Sequence, residues 1–269
     1  MIDCHTHTKY SPDSKTEPEV QILSAIEKGL SYICITEHMD FTDGMKYSLP
    51  GETIFTYEIT PEYFAEYGRL RENYADKIQI GIGVEAGWTK EDESHVKEEL
   101  AKNDFDYIIN SIHLVDGYDI YWPSFYKGKT KKQAYEAYLN AVMESLKAPY
   151  RFDCVGHLGY ITRYSVFEDK TMKYADYADS IDQILKEIIK RDILLEVNTH
   201  NIAYGLDIPD LTIAKRYYEL GGRLLTVGSD AHRPVLIAEC YKEAAERAKA
   251  IGFKNFVYKC RGKITEVPI

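Results

Sequence analysis

The sequence predicts an α/β fold: a closed parallel barrel wrapped by helices, built as a single domain over residues 1–269. Three observations predict it. Short apolar runs alternate with longer amphipathic segments, the alternation repeats seven times, and each apolar run ends on a His, Asp or Glu. Strand–helix repetition on this scale implies a parallel sheet covered by helices. Seven or eight such units within 269 residues suit a closed barrel better than an open doubly wound sheet. No Gly-x-Gly-x-x-Gly follows any run, which weighs against a dinucleotide fold.

The apolar runs are 1–3, 32–36, 78–84, 107–112, 152–155, 193–197 and 224–227. They are short and mostly rich in β-branched residues, as strands buried on both faces are. Thr16-Glu17-Pro18-Glu19 reads as a capping box opening a helix that runs to about Gly29. Thr60-Pro61 starts a second helix towards Tyr74, and further helices are expected over 92–102, 130–146, 174–190, 211–220 and 236–250.

Composition narrows the function. The formal net charge is −10 with no basic tract, which argues against a nucleic-acid partner whose binding rests on phosphate neutralisation. A small phosphorylated substrate remains compatible, because bound metal ions reverse the local sign. The five cysteines are widely spaced without a Cys-x-x-Cys, the pattern of a reduced protein rather than a disulfide framework. No leader or membrane-length apolar run stands out, so the expected location is cytoplasmic, with no membrane partner. Oligomeric state is not legible.

His5 and His7 follow the first apolar run, and residues i and i+2 of an extended chain share a side, so the two imidazoles suit one metal ion. Asp13 follows within reach of a second. The same spacing recurs near the far end in Asp230-Ala231-His232. Between them, Glu37-His38, Glu85, His113, Gly156-His157, and Asn198 with His200 each stand at the end of a run. The C-terminal face of a parallel barrel is where such residues converge. Seven of the eight histidines fall there. The eighth, His95, sits in a charged helical stretch and reads as a solvated bystander. One histidine at a strand end is more often a packed loop residue than a ligand; seven in register are not explained that way. A catalytic zinc takes about three protein ligands, so six histidines with Asp13, Glu85 and Asp230 supply two or three divalent ions. Nitrogen and carboxylate ligation without cysteine suits Zn, Mn or Fe. Cys4 and Cys34 read as small core residues.

In order along nearly the whole chain, His5-Thr6-His7-Thr8, Ile35-Thr36-Glu37-His38, Glu85, Ser111-Ile112-His113, Gly156-His157 and Ser229-Asp230-Ala231-His232 resemble the polymerase-and-histidinol-phosphatase (PHP) superfamily. In length and in the segment from Cys154 to Arg163, the chain is most similar to the stand-alone histidinol-phosphate phosphatases. The resemblance implies a distorted (β/α)7 TIM-like barrel of PHP type with a trinuclear site. One ion would take His5, His7, Glu85 and Asp230, a second Asp13, His38 and His232, and the third Glu85, His113 and His157. It further implies Arg163 as a phosphate-binding arginine and His200 as a substrate-side residue, with Glu85, Asp230 and His232 as the catalytic residues. The expected reaction is hydrolysis of a phosphate monoester, L-histidinol phosphate foremost, by a hydroxide bridging the metals. Three ions at about +6 against three carboxylates would leave the site near +3, a receptacle for a phosphate dianion. Two other readings stay open. One is a PHP phosphoesterase of other specificity, acting on another monoester or a diester. The other is a non-catalytic metal-binding module. Metal-dependent C–N hydrolysis would want a lysine at a strand end, and none is there. The aromatics after His113 (Tyr118, Tyr121, Trp122 and Phe125) are expected either to pack their loop or to cover the site.

Overall fold

The computed structural model describes residues 1–41 and 59–269. Its strands are β1 (Ile2–Asp3), β2 (Tyr32–Met39), β3 (Gln79–Gly87), β4 (Tyr107–Ser111), β5 (Leu114–Val115), β6 (Tyr118–Asp119), β7 (Cys154–Val155), β8 (Leu194–Asn198), β9 (Leu225–Gly228), β10 (Asn255–Cys260) and β11 (Lys263–Pro268). Its α-helices are α1 (Pro18–Glu27), α2 (Pro61–Asn73), α3 (Glu93–Lys102), α4 (Lys131–Ser145), α5 (Ile161–Tyr164), α6 (Ala178–Lys190), α7 (Leu211–Glu219) and α8 (Tyr241–Ile251).

Seven parallel strands form one sheet in the order β1-β2-β3-β4-β7-β8-β9. The Cys4 amide donates to the Val227 carbonyl at 3.0 Å and Thr6 bridges Ala231 in parallel, so the last strand meets the first in a nearly closed barrel. All seven predicted runs are barrel strands. Their buried β-branched residues carry the parallel ladders, and the helices cover the outside. Helix α6 shows how: Ile181, Ile184, Leu185 and Ile188 recur at helical spacing and are fully buried, each worth about 1.5–3 kcal/mol of transfer free energy. Cys34 lies in the tight space beside Gly81 and Gly83 and is fully buried, as a small core residue should be.

Three expectations are corrected. Thr16 is not a cap: Glu17 is the N-cap of α1 and makes no side-chain cap bond, while the Thr16 hydroxyl donates to the His232 carbonyl at 3.0 Å. The capping box belongs to Thr130 and Gln133 at the start of α4. Helices α6 and α8 begin later than predicted. Residues Tyr174–Asp176 form a separate 3-10 turn before α6. Before α8, Ala238 and Cys240 take positive φ, which no continuing helix permits. His95 is not a solvated bystander, for its ring stacks on Phe41 at 3.8 Å between centroids. Two hairpins escaped the sequence reading. In β5–β6, Asp116-Gly117 (φ 54° and 82°) forms the turn; in β10–β11, Arg261-Gly262 (φ 51° and 76°) does so.

Candidate metal centre

Parallel register builds the site. In the ladder His38 of β2 stands directly beside Glu85 of β3, the two fully or mostly enclosed at the C-terminal end of the barrel. Every other predicted ligand reaches Glu85 or a neighbour of it. Glu85 Oε1 lies 2.7 Å from His157 Nε2 and 3.2 Å from His113 Nε2. Its Oε2 lies 2.9 Å from His38 Nδ1, 3.2 Å from His5 Nε2 and 3.5 Å from His7 Nε2. One buried carboxylate thus faces five imidazoles, two on one oxygen and three on the other. Asp230 Oδ1 lies 3.3 Å from His7 Nε2 and 3.8 Å from His5 Nε2. Asp13 Oδ2 lies 3.0 Å from His232 Nε2 and 3.6 Å from His38 Nε2.

Local backbone is bent to achieve this. Asp230 (φ 56°) and His157 (φ 23°) both sit in the positive-φ region, where an L-residue is strained unless its surroundings hold it. Gly228 is required by close approach: a Cβ there would collide with His5 and Glu196.

The donor set fits divalent cations. His5 Nε2, His7 Nε2, His38 Nδ1, His157 Nδ1, His232 Nε2 and Glu85 Oε2 are buried without a hydrogen-bond partner among the described residues. Buried polar atoms are rarely left so. Ligand atoms within 4.8 Å of one another group as His5/His7/Asp230, His5/Glu85/His157, His7/His38/His232 and His38/Asp40/His113. The His7 ring stacks at 4.3 Å on His38 and at 4.2 Å on His232, and those two rings lie 5.8 Å from each other, so the three imidazoles form a triangle. Compared with the sets that the resemblance implies, His7 also joins His38 and His232, and Asp40 enters beside His113.

Asp40 is one of three carboxylates that the sequence reading gave no role. Its Oδ1 accepts from His113 Nδ1 at 2.9 Å. Glu196, buried in β8, accepts from His5 Nδ1 at 2.7 Å and from the His157 amide at 2.5 Å. Glu37 accepts from Thr8 and Ser11 behind His7. Each leaves the far nitrogen of an imidazole free to face the centre, as outer partners of metal-bound histidines do. Signals existed: a glutamate inside the apolar run 193–197, and an aspartate two residues after His38. The expected +3 counts the three directly ligating carboxylates; with these three behind them, the six would offset the charge of three divalent ions.

Charge states follow from this packing. Burial opposes protonation of His5 and His38, yet carboxylates led by Glu85 lift both well above the usual histidine range. His113 is pushed up to about 10, by Asp40 and Glu85 against burial. Burial and the neighbouring His232 and His38 hold His7 well below the usual range, leaving it neutral with a lone pair to give. Despite burial, the surrounding histidines keep Glu85 well below the usual carboxylate range, and His5 with Arg163 does the same for Asp230. Carboxylates held in the charged form beside imidazoles suit a centre that binds cations.

Arg163 lies at its edge, on α5. It donates from Nη1 to Asp230 Oδ2 at 2.8 Å and from Nη2 to Asn198 Oδ1 at 2.9 Å, with the guanidinium over the Tyr160 ring. Its buried Nε has no partner among the described residues. His200 is half-buried, its Nδ1 is likewise unpartnered, and burial with nearby Arg163 lowers its pKa. The aromatics after His113 divide: Phe125 is fully buried and packs the loop, whereas Tyr121 is 46 % exposed and meets Tyr164, which meets Tyr160 beside His157.

A family model for the PHP domain matches residues 3–200, about three quarters of the chain and all but two of the predicted metal ligands. The chain belongs to the PHP domain family. This PHP chain is 36% identical over 262 residues to a probable histidinol-phosphatase of Clostridium acetobutylicum, covering 97% of this chain and 98% of that one. It is 33% identical over 240 residues to a histidinol-phosphatase of Lactococcus lactis, covering 86% and 84%. Among solved structures, it is similar to the histidinol phosphate phosphatase of Lactococcus lactis complexed with zinc, L-histidinol and phosphate, at a TM-score of 0.86, 30% identity and 98% coverage of both chains. Asp230 and His232 lie beyond the span that the PHP model matches, but the barrel brings them against its first histidines.

Proposed function

We propose that this chain is a metal-dependent phosphomonoesterase that hydrolyses L-histidinol phosphate to L-histidinol and phosphate. The observation that carries the reading is Glu85: one buried carboxylate faced by five imidazoles whose metal-binding atoms are mostly unpartnered, in a chain similar end to end to an enzyme solved with zinc, L-histidinol and phosphate. His5, His7, Glu85 and Asp230 would hold one ion, Asp13, His38 and His232 a second, and Glu85, His113 and His157 a third. Two or three divalent ions, Zn, Mn or Fe, would lower the pKa of water and neutralise phosphoryl oxygens.

The chain's own residues do the rest. Glu85 and Asp230 position the imidazoles and carry the negative charge that draws the cations in. Asp230 joins the two halves of the site, since one oxygen faces His5 and His7 while the other is tied to Arg163. His232, hydrogen-bonded through Nδ1 to the Asp230 carbonyl at 2.9 Å, presents Nε2 towards Asp13. Arg163 keeps one N–H for a phosphoryl oxygen, where a planar donor stabilises the charge that builds during transfer. His200 takes the substrate side, and the face of Tyr160 closes the wall beside His113 and His157. In the reaction a water oxygen bonds to phosphorus as the ester P–O bond breaks, and the leaving histidinol oxygen takes a proton.

The test is phosphate release from L-histidinol phosphate beside p-nitrophenyl phosphate and its bis-ester, with metal-replete and chelated protein. Turnover of histidinol phosphate far above the generic monoester, lost on chelation, is the expected outcome. Equal slow turnover of every ester, or preference for the diester, would keep the metal site and discard the substrate.

A further inference from the structure

Glu37 is a buried carboxylate that the proposed chemistry leaves unused, and among the described residues its hydrogen-bond partners are Thr8, Ser11 and Tyr67, none of them a cation. Its side chain points to the outer side of β2, towards α2. Oε1 accepts from the Thr8 hydroxyl at 2.6 Å and the Tyr67 hydroxyl at 3.3 Å. Oε2 accepts from the Ser11 hydroxyl at 2.5 Å, and the Thr8 amide lies 3.0 Å from both oxygens. Ser11 spends its only proton on Glu37, so its oxygen has lone pairs alone to offer elsewhere. Two donors use them: the His38 amide at 3.0 Å and His7 Nδ1 at 3.0 Å. The His7 proton must therefore sit on Nδ1. Nε2 is left as a lone pair, buried, unpartnered, and facing Asp230 at 3.3 Å and Glu85 at 3.5 Å.

We infer that Glu37 is a positioning residue that acts through Ser11 to fix the tautomer of His7, so that Nε2 is ready for a metal ion. This rests on the reading that the imidazole cluster holds metal. Glu196 and Asp40 contact their imidazoles directly; here a hydroxyl stands between, and a hydroxyl can be reversed. In Glu37→Gln the amide oxygen stays with Thr8 and Tyr67, the side where two hydroxyls donate, and the NH₂ donates to Ser11. The Ser11 hydroxyl then turns its proton on His7 Nδ1, moving the imidazole proton to Nε2, the atom that the metal needs.

The experiment measures zinc affinity by chelator competition on the full chain, together with the ¹⁵N imidazole shifts and the unfolding midpoint of the chelated protein. Glu37→Gln should lose about 10–100-fold in zinc affinity, with His7 moved away from the Nδ1–H form and the chelated midpoint little changed. Ser11→Ala keeps Glu37 and its Thr8 bonds; it should weaken zinc binding and remove the tautomer preference, and Ser11→Thr should restore both. Should Glu37→Gln fail to fold, the Ser11 pair decides. Zinc affinity as in wild type in both Glu37→Gln and Ser11→Ala overturns the inference, as does weakened binding with His7 still in its Nδ1–H form, which would leave Glu37 as a mere anchor of the β1 loop. A wild-type chain that takes up no zinc overturns the metal reading and this inference together.

Discussion

The two ends of the barrel bury the same kind of group and compensate it differently. At the N-terminal end Asp106, fully buried, is met by the guanidiniums of Arg71 and Arg261 and by the Ile82 amide at 2.8 Å. Asp153 beside it accepts from the Ile108 amide at 3.0 Å and Arg151 at 3.3 Å. The chain supplies its own cations there, and the end is closed by the C-terminal hairpin, whose Arg261 amide donates to the Asp106 carbonyl. At the C-terminal end Glu85, Asp230, Glu196, Glu37 and Asp40 cluster around imidazoles, and Arg163 is the one arginine or lysine with a described ion pair among them. A buried charge must be paired or must coordinate metal. One end is paired from within; the other gathers imidazoles and carboxylates whose donor set fits divalent cations.

The largest expected effect tests the C-terminal end. Glu85→Gln removes the charge that five imidazoles share, and should cost both metal content and more than about 10³-fold in turnover, beyond the loss from a single catalytic donor. Full metal content by elemental analysis with full turnover would break the comparison. Next is pH. In the metal-free protein, carboxylates hold His5, His38 and His113 above the usual range, the last at about 10, so at neutral pH they carry protons on atoms that the metal needs. Metal uptake therefore expels protons, and zinc affinity should rise more than tenfold per unit between about pH 6 and 9. Affinity that is flat across that range would mean the imidazoles are already neutral and the proton count is wrong.

The other end should respond in stability alone. Asp106→Asn loses charged hydrogen bonds to two arginines that can turn to water, so about 1.5–3 kcal/mol of stability should go. Turnover per folded molecule should hold, read by denaturant unfolding beside assays scaled to folded protein. Lost turnover at full stability would couple the two ends and undo the contrast.

The legibility of the sequence divides along the same line. Buried parallel strands read as β-branched runs, and a histidine or carboxylate at the end of each is a local pattern, so the barrel and nine site residues could be placed from spacing and resemblance. What packs across the barrel is not local. Glu37 and Glu196 look like ordinary strand residues, and Asp40 like a loop aspartate, until Ser11, His5 and His113 are brought against them. Arg163 shows the limit from the other side: its presence at the site could be expected, but its pairing with Asp230 and Asn198 depends on three separate strand ends meeting. The Arg261-Gly262 turn was a readable hairpin signal between alternating residues, and it holds the arginine that closes the N-terminal end.

The smallest effect sharpens the comparison most finely. Ser111 donates to Glu85 Oε1 at 2.7 Å and lies 3.5 Å from His157 Nε2. It orients the Glu85 carboxylate without offering a charge, and Gly156 leaves it room, since a Cβ there would crowd the Ser111 hydroxyl at 2.5 Å. Ser111→Ala removes one hydrogen bond from an oxygen that still faces His113 and His157, so stability should change by no more than about 1 kcal/mol. Zinc affinity should fall by about tenfold, the lower bound for an outer partner of a metal ligand. If the C-terminal end is organised around metal, affinity must move more than stability in this variant, and the reverse order in chelator competition against thermal unfolding would place Ser111 with the self-paired end instead.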